Sequence, residues 1–147
     1  MMNSDEILKL DNQLCFALYA ANRAMTKMYK PLLDPFSLTY PQYLVLLVLY
    51  ERDKLTVNEL GDRLYLDSGT LTPLLKRMEQ AKLVSRQRSS KDERKVLISL
   101  TAKAVKLKES LADVPMTLFR EYGCEPTQIV ELRETLRSLV DRLQKNT

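Results

Sequence analysis

Apolar residues in the N-terminal part of this chain recur at spacings of three and four, which is the periodicity of an amphipathic helix. The pattern predicts a first helix from Leu10 to Tyr29, which we expect Pro31 and Pro35 to stop. The residues that form its apolar face are Leu14, Leu18, Ala21, Met25 and Met28.

Two further helices are indicated by capping-box patterns, in which a threonine precedes Gln or Glu by three positions. Thr39 and Gln42 form the first pattern, and Thr56 and Glu59 form the second. The first of these helices has an unbroken apolar run, which favours burial on all sides. The helices so predicted are Tyr40 to Glu51 and Val57 to Leu64.

The segment from Leu66 to Gln80, LDSGTLTPLLKRMEQ, predicts a fourth helix that Asp67 or Ser68 can cap. Pro73 is tolerated in a first turn, so the regular helix is expected to begin between Ser68 and Thr70. One face is apolar, and the opposite face carries small polar and basic groups. A short helix followed by such a helix describes a helix-turn-helix or two helices of a plain bundle, and the spacing alone leaves both open.

Two β-prone runs follow, Leu83 to Arg88 and Arg94 to Leu100, around the turn-prone string SSKDE. A hairpin directly after a helix-turn-helix is a wing, which favours the winged helix-turn-helix over the plain bundle. We therefore predict a mainly α fold with a small β wing. Its winged helix-turn-helix core would occupy about residues 40–100.

Two more helices are predicted after the wing. Thr101 caps one that reaches about Tyr122 with a bend at Pro115, and Pro126 opens the last one. Their apolar seams, like that of the first helix, could fold back on the core, but they suit a homodimer better. We expect one domain over 1–147, with dimerisation helices at about 8–34 and 101–147 and two recognition helices ~34–36 Å apart.

The net charge of +4 comes from one segment of the chain. Residues 76–95 contain eight basic and three acidic side chains, a net charge of +5, so the remainder is about neutral at −1. This segment covers the end of the predicted recognition helix and the hairpin. A localised basic surface of this kind is typical of a protein that binds nucleic acid.

The remaining composition excludes several classes of protein. Histidine is absent and there are only two cysteines, which excludes histidine-based catalysis and most zinc sites. We therefore expect a protein that binds no metal and no cofactor and that is not an enzyme. The longest apolar run, Tyr43 to Tyr50, is far below the ~18 residues of a membrane span, and the N-terminus lacks the features of an export signal. We expect a cytoplasmic protein without membrane contact.

The chain resembles the MarR family of winged-helix transcription regulators, and within it the OhrR branch of organic-hydroperoxide-sensing repressors. The resemblance is close over residues 10 to about 105 and extends to the last two helices only in pattern. The wing string marks the family in general, whereas LCF followed by spaced tyrosines is specific to the peroxide-sensing branch. The strings that carry it are NQLCFALYAANRAMTKMYKPLLD at 12–34, TYPQYLVLL at 39–47, LYLDSGTLTPLLKRME at 64–79 and KDERKVLISLT at 91–101.

The resemblance implies a dimeric repressor of a pseudo-palindromic operator, released when an organic hydroperoxide oxidises its reactive cysteine. Cys15 matches that cysteine, and Tyr29 and Tyr40 match tyrosines that reach it from the partner subunit. Tyr19 lies one turn after Cys15 on the same helical face. Hydroxyl donors favour the thiolate, which is the nucleophile towards O–O bonds. Without the resemblance, Cys15 would be interpreted as an inert core residue.

Cys124 bears on a division within the family. Some relatives form a mixed disulfide with a small thiol, and others resolve the sulfenic acid with a second cysteine of the other subunit near the C-terminal helices. Cys124 lies in the predicted turn between those helices, so we favour a resolving role over an incidental turn cysteine.

The DNA contacts are expected to follow the chemistry of each group. Ser68, Thr70, Thr72 and Lys76 would face the major groove, with Arg77 at the margin. Arg94, aligned by Asp92, would enter the minor groove, and Arg86, Arg88 and Lys91 would hold phosphates.

Two other functions compete with redox-switched repression. One is a MarR-type regulator that responds to a small phenolic or lipophilic ligand in the dimer cleft, with Cys15 as lining. The other is a cysteine-dependent peroxidase, which the lack of histidine, the lack of a CxxC pair and the basic hairpin disfavour.

Overall fold

The computed structural model describes residues 3–146, which form eight α-helices and one small antiparallel sheet. This confirms the predicted mainly α fold with a β wing. In chain order the elements are α1 (Ser4–Ile7), α2 (Leu14–Leu33), α3 (Tyr40–Glu51), β1 (Leu55–Thr56), α4 (Val57–Leu64), α5 (Ser68–Gln80), β2 (Val84–Arg88), β3 (Val96–Leu100), α6 (Ala102–Leu111), α7 (Asp113–Glu121) and α8 (Pro126–Lys145). Short 3-10 turns, Leu10–Asn12 and Asp34–Phe36, flank α2.

Both predicted capping boxes are present, and they fix the starts of α3 and α4. The Thr39 hydroxyl accepts the Gln42 amide at 3.3 Å, and the Gln42 side chain accepts the Thr39 amide at 3.1 Å. Thr56 and Glu59 exchange the same pair of bonds, each at 3.1 Å. These bonds favour the ionised carboxylate, so they lower the pKa of Glu59.

The helix-turn-helix consists of α4 and α5. Asp67 caps α5 by accepting the Thr70 amide at 2.7 Å, and this bond lowers the pKa of Asp67. Gly61 of α4 allows the turn to pass close by, because a Cβ there would lie 2.5 Å from the backbone oxygen of Leu66. The apolar face of α5 is buried in the core, and its members are Leu71, Leu74, Leu75 and Met78.

The sheet has the strand order β1-β3-β2, so the predicted hairpin gains a third strand. In β1, Leu55 pairs with Ile98 and Thr56 pairs with Leu97. The two residues of the first pair are buried, which ties the wing to the start of the helix-turn-helix. A strand of two residues is too short to show alternation, so the sequence pattern does not predict β1.

The prediction that Pro31 stops the first helix is wrong, since α2 continues to Leu33 and regular α-helix starts only at Leu14. Pro31 lies in the last turn, where its missing N–H costs one hydrogen bond to the Lys27 carbonyl. The helix predicted to bend at Pro115 is interrupted at one residue, Ala112, which separates α6 from α7 and keeps right-handed helical dihedral angles. The ring of Pro115 cannot donate to the Leu111 carbonyl and crowds it, so the helix is interrupted just after Leu111.

The chain divides into two compact units, one up to Val114 and one from Pro115 onward. The first contains α1 to α6, the sheet and most of the buried core, with Leu46, Leu60, Leu71 and Ile98 at its centre. In the second, no residue of α8 is buried among the residues that the structure describes. The division into a core at about 40–100 and flanking dimerisation helices stays a prediction.

Within residues 3–146, no single helix is long and apolar enough to cross a membrane. The pair Leu14–Phe36 and Tyr40–Glu51 reaches the required hydropathy only when taken together, and it is bent by 74°.

Candidate cysteine site and nucleic-acid interface

Cys15 is the second residue of α2 and is exposed. The preceding N-cap residue, Gln13, turns its amide away from the helix and donates to the carbonyls of Ile7 and Lys9 at 2.8 and 2.7 Å. The first amides of a helix have no partner one turn earlier, and the helix dipole there favours negative charge. A thiol at this position is therefore open to solvent.

Tyr19 lies one turn beyond Cys15 and is also exposed. Arg23, a further turn along α2, stacks over the Tyr19 ring at 5.5 Å and donates to its hydroxyl at 3.3 Å. The apolar periodicity of α2 does not predict a role for Arg23, although its spacing of four from Tyr19 is a signal for this contact. Cys15, Tyr19 and Arg23 thus follow one another along one helical face.

Tyr29 and Tyr40 come together at the junction of α2 and α3, with ring centroids 4.6 Å apart. A third ring, Tyr43, lies 5.6 Å from Tyr29 and 6.3 Å from Tyr40 and is buried beneath them. Tyr43 was not among the predicted site residues, although its spacing of three from Tyr40 is a signal that places both on one helical face. Tyr29 and Cys15 are 14 residues apart in the same helix, which is about 21 Å of rise. Within one chain Tyr29 cannot reach Cys15.

The outward face of α5 carries the residues predicted for the major groove. Ser68, Thr70 and Lys76 are exposed and Thr72 is half-buried, while the apolar residues between them point into the core. Arg77 is exposed at the margin of this face. The fold therefore places all five of these predicted side chains on one helix with an open face.

The wing tip is a tight turn that presents Arg94. The Arg94 side chain is 93% exposed, and its Nε lies 3.5 Å from Oδ1 of Asp92. The same carboxylate oxygen accepts the Arg94 backbone amide at 3.1 Å, so Asp92 organises the turn and the guanidinium together. Lys91 is exposed beside it, and Arg88 donates to the Glu93 carbonyl across the hairpin at 2.8 Å.

Arg86 differs from the other basic residues of the wing because its guanidinium is bound to Glu79 of α5. From the sequence, Arg86 is expected to contact phosphates together with Arg88 and Lys91. The fold places the Glu79 carboxylate beside it, a contact that the distribution of charges along the chain does not predict.

Cys124 is exposed in the turn between α7 and α8. It follows Gly123, whose φ of +68° is the left-handed conformation that glycine adopts without strain, and its thiol contacts the Tyr122 carbonyl at 3.6 Å. Over residues 3–146 there is no group of three or more Cys, Asp or Glu side chains that could hold a metal ion.

Residues 27–111 match the family model for the transcriptional regulators SarA and Rot. The organic hydroperoxide resistance transcriptional regulator of Bacillus subtilis is 53% identical over 147 residues, which is 99% of this chain and 100% of that protein.

Two solved structures of AbfR, a protein of Staphylococcus epidermidis, have the same fold. Reduced AbfR bound to DNA is 35% identical, with a TM-score of 0.80, and the match covers 96% of this chain and 99% of that one. AbfR with a disulfide formed is 39% identical, with a TM-score of 0.67, over 92% and 96% of the two chains. This chain belongs to the MarR family of winged-helix DNA-binding transcriptional regulators, in the branch of the organic hydroperoxide resistance regulators.

Proposed function

We propose that this regulator is a redox-switched repressor, which leaves its operator DNA when an organic hydroperoxide oxidises Cys15. The observation that carries the proposal is the exposed thiol at the start of α2, in a chain that shares 53% identity with an organic hydroperoxide resistance regulator. The sulfur is open to a hydroperoxide, and a cysteine thiolate is the nucleophile in such an attack on an O–O bond.

The reaction is a two-electron oxidation of sulfur. The thiolate attacks the terminal oxygen of the hydroperoxide, the O–O bond breaks, and an alkoxide leaves and is protonated to an alcohol. Cys15 becomes a sulfenic acid, which condenses with a thiol to give a disulfide and water. We propose that this thiol is Cys124 of the other subunit, since Cys124 is exposed in its turn. The relative AbfR has a form with a disulfide.

The active form is proposed to be a homodimer. Leu14, Phe16 and Met25 on α2 and Leu132 and Leu143 on α8 are exposed in the single chain, which is unfavourable for large apolar side chains. A second copy that covers α2 would also bring its Tyr29 and Tyr40 to Cys15, which the same chain cannot do. The hydroxyls of these residues would then hold the thiolate by hydrogen bonds, with Tyr19 beside them.

The proposed DNA surface follows the geometry of α5 and the wing. Ser68, Thr70, Thr72 and Lys76 would lie in the major groove of double-stranded DNA with Arg77 at its margin, and Arg94, held by Asp92, would enter the minor groove. Arg88 and Lys91 would contact phosphates. Two-fold symmetry places the recognition helices ~34–36 Å apart, so a pseudo-palindromic operator is expected.

Oxidation changes the size and hydrogen bonding of one atom at the proposed dimer contact, where the spacing of the recognition helices is set. A ~100-fold loss of DNA occupancy requires only ~2.7 kcal/mol. This is comparable to leaving one or two buried polar groups without partners. A small structural change is therefore sufficient for release.

The test is a fluorescence-anisotropy titration on a duplex taken from the region directly upstream of the protein's own gene. Reduced wild-type protein should bind, and an organic hydroperoxide should release it. Cys15→Ser should bind equally well and not respond. A Cys15→Ser protein that still responds to hydroperoxide would reject the proposal, and release by a phenolic or lipophilic ligand instead would favour the ligand-responsive regulator.

A further inference from the structure

The ion pair between Glu79 of α5 and Arg86 of β2 includes three hydrogen bonds, one of them from the main chain. Glu79 is the penultimate residue of α5, and Arg86 is the middle residue of β2. Nε and Nη2 of Arg86 donate to Oε1 of Glu79 at 3.2 and 3.1 Å, and the Arg86 backbone amide donates to Oε2 at 3.2 Å. One carboxylate thus holds both the side chain and the main chain of Arg86.

The backbone bond has a structural reason. β2 is an edge strand of the sheet, because the strand order is β1-β3-β2. The Arg86 amide that faces away from β3 therefore needs a partner outside the sheet, and Glu79 provides it. The two side chains are only 28% and 40% exposed, so water screens this pair less than an exposed one.

The pair lies between the fixed base and the exposed tip of the wing. At the base, the Leu83 amide donates to the Met78 carbonyl at 2.9 Å, and Leu83 and Val84 are buried. Beyond the pair, Gln87 and Arg88 are exposed. Glu79 thus joins the last turn of the recognition helix to the wing at the place where the hairpin leaves the core.

We infer that Glu79 and Arg86 form a clamp that sets the direction of the wing relative to α5, and that Arg86 is a positioning residue for Arg94 and not a phosphate ligand. Turning the Arg86 side chain to a phosphate would break its two hydrogen bonds to Glu79 and leave that carboxylate with only the Arg86 backbone amide. Holding the hairpin before binding reduces the conformational freedom that Arg94 loses when it enters the groove. The inference rests on the proposed role of Arg94 in DNA binding.

The direction in which Glu79→Gln changes the DNA affinity distinguishes the clamp from simple electrostatics. Glu79→Gln removes a negative charge near the proposed DNA surface, so electrostatics alone predicts tighter binding. The clamp predicts weaker binding, roughly five- to ten-fold, within the range of coupling energies between contacting residues. The measurement is the Kd of reduced protein for the upstream duplex by fluorescence anisotropy. Tighter or unchanged binding by Glu79→Gln overturns the clamp.

Two changes at Arg86 give an independent readout. Arg86→Lys keeps the charge but loses the paired N–H donors, so the clamp predicts weaker binding and a phosphate contact predicts little change. Arg86→Gln should leave the slope of log K against log salt unchanged, whereas the matched variant Arg88→Gln should flatten it by roughly one unit. A slope that falls equally in both variants overturns the assignment. If Glu79→Gln is unfolded at the assay temperature, Arg86→Lys decides.

A double-mutant cycle with Arg94→Ala tests whether the clamp acts through the wing tip. Arg94→Ala alone should weaken binding, and Glu79→Gln should then add little further loss. Additive losses would contradict action through Arg94 and overturn the clamp. Unchanged binding by Arg94→Ala would instead reject the proposed wing contact itself, so the two failures are distinguishable.

Discussion

Tyr29 and Tyr40 are the side chains that we propose supply a hydroxyl donor to Cys15 from a second chain. They pack against each other and against the buried ring of Tyr43, so their hydroxyls are carried on a fixed aromatic cluster. The sequence identified the pair through a family resemblance, but it did not identify Tyr43.

The sequence also predicts Arg86 as a phosphate ligand, because it lies in the basic segment of the wing. Its partner Glu79 comes near only because Lys82, with a φ of +61°, turns the chain back on itself.

Phenylalanine at position 29 or 40 keeps the ring and removes the hydroxyl. Tyr29→Phe and Tyr40→Phe are each expected to slow the oxidation of Cys15 by roughly ten-fold, because a hydrogen bond to a charged group contributes about 1.5–3 kcal/mol. The measurement is the rate of thiol loss after mixing with an organic hydroperoxide. Tyr65→Phe, at an exposed tyrosine in the helix-turn-helix, is the control and should react as fast as wild type. Wild-type rates in both test variants would contradict the role of the hydroxyls.

At the scale of the helices and strands, the caps made most of the fold predictable. Thr39, Thr56 and Asp67 each mark a helix start by a local hydrogen bond, and α3, α4 and α5 begin where those residues predict. Two kinds of feature escaped prediction. The pairing of β1 with β3 depends on contacts 41 to 43 residues apart, which no local pattern encodes. The effect of a proline on a helix depends on its position within the helical turn, which the sequence does not give. Pro31 lies inside α2 without ending it, whereas Pro115 lies just after the interruption that precedes α7.

Gly61→Ala tests the packing of the helix-turn-helix, because helix propensity and packing predict opposite signs. Alanine favours a helix over glycine by roughly 1 kcal/mol. The new Cβ would lie 2.5 Å from the backbone oxygen of Leu66, which cannot move as a side chain does. We expect a net loss of about 1–3 kcal/mol in the free energy of unfolding, measured with urea. Gly69→Ala, whose Cβ would meet only the Asp67 side chain at 3.3 Å, should lose less. A stabilised Gly61→Ala protein would contradict the packing account.

At the scale of the whole molecule, one chain leaves its apolar seams uncovered. Large apolar side chains are exposed on both α2 and α8, and the sequence predicted these seams from their helical spacing. We expect a dimer in sedimentation velocity at micromolar concentration, with no folded monomer. A folded monomer under these conditions would contradict the account and would leave Cys15 without tyrosines from a partner.

Oxidation is expected to join the two subunits covalently. After treatment with an organic hydroperoxide, wild-type protein should run as a dimer on a non-reducing gel, linked from Cys15 to Cys124 of the partner subunit. Cys124→Ser and Cys15→Ser should both run as monomers. A monomeric wild-type band with a small-thiol adduct on Cys15 by mass spectrometry would reject the resolving role of Cys124 and leave the sensing role of Cys15 intact.

The central claim, that the oxidation state of Cys15 controls DNA binding, is tested most directly by measuring both quantities in one titration. Wild-type protein bound to the upstream duplex is treated with increasing organic hydroperoxide, and each sample is divided between anisotropy and mass spectrometry of the Cys15 peptide. We predict that the fraction of DNA released rises together with the fraction of Cys15 oxidised. DNA that stays bound when Cys15 is fully oxidised, or that is released while Cys15 remains a thiol, would contradict the account.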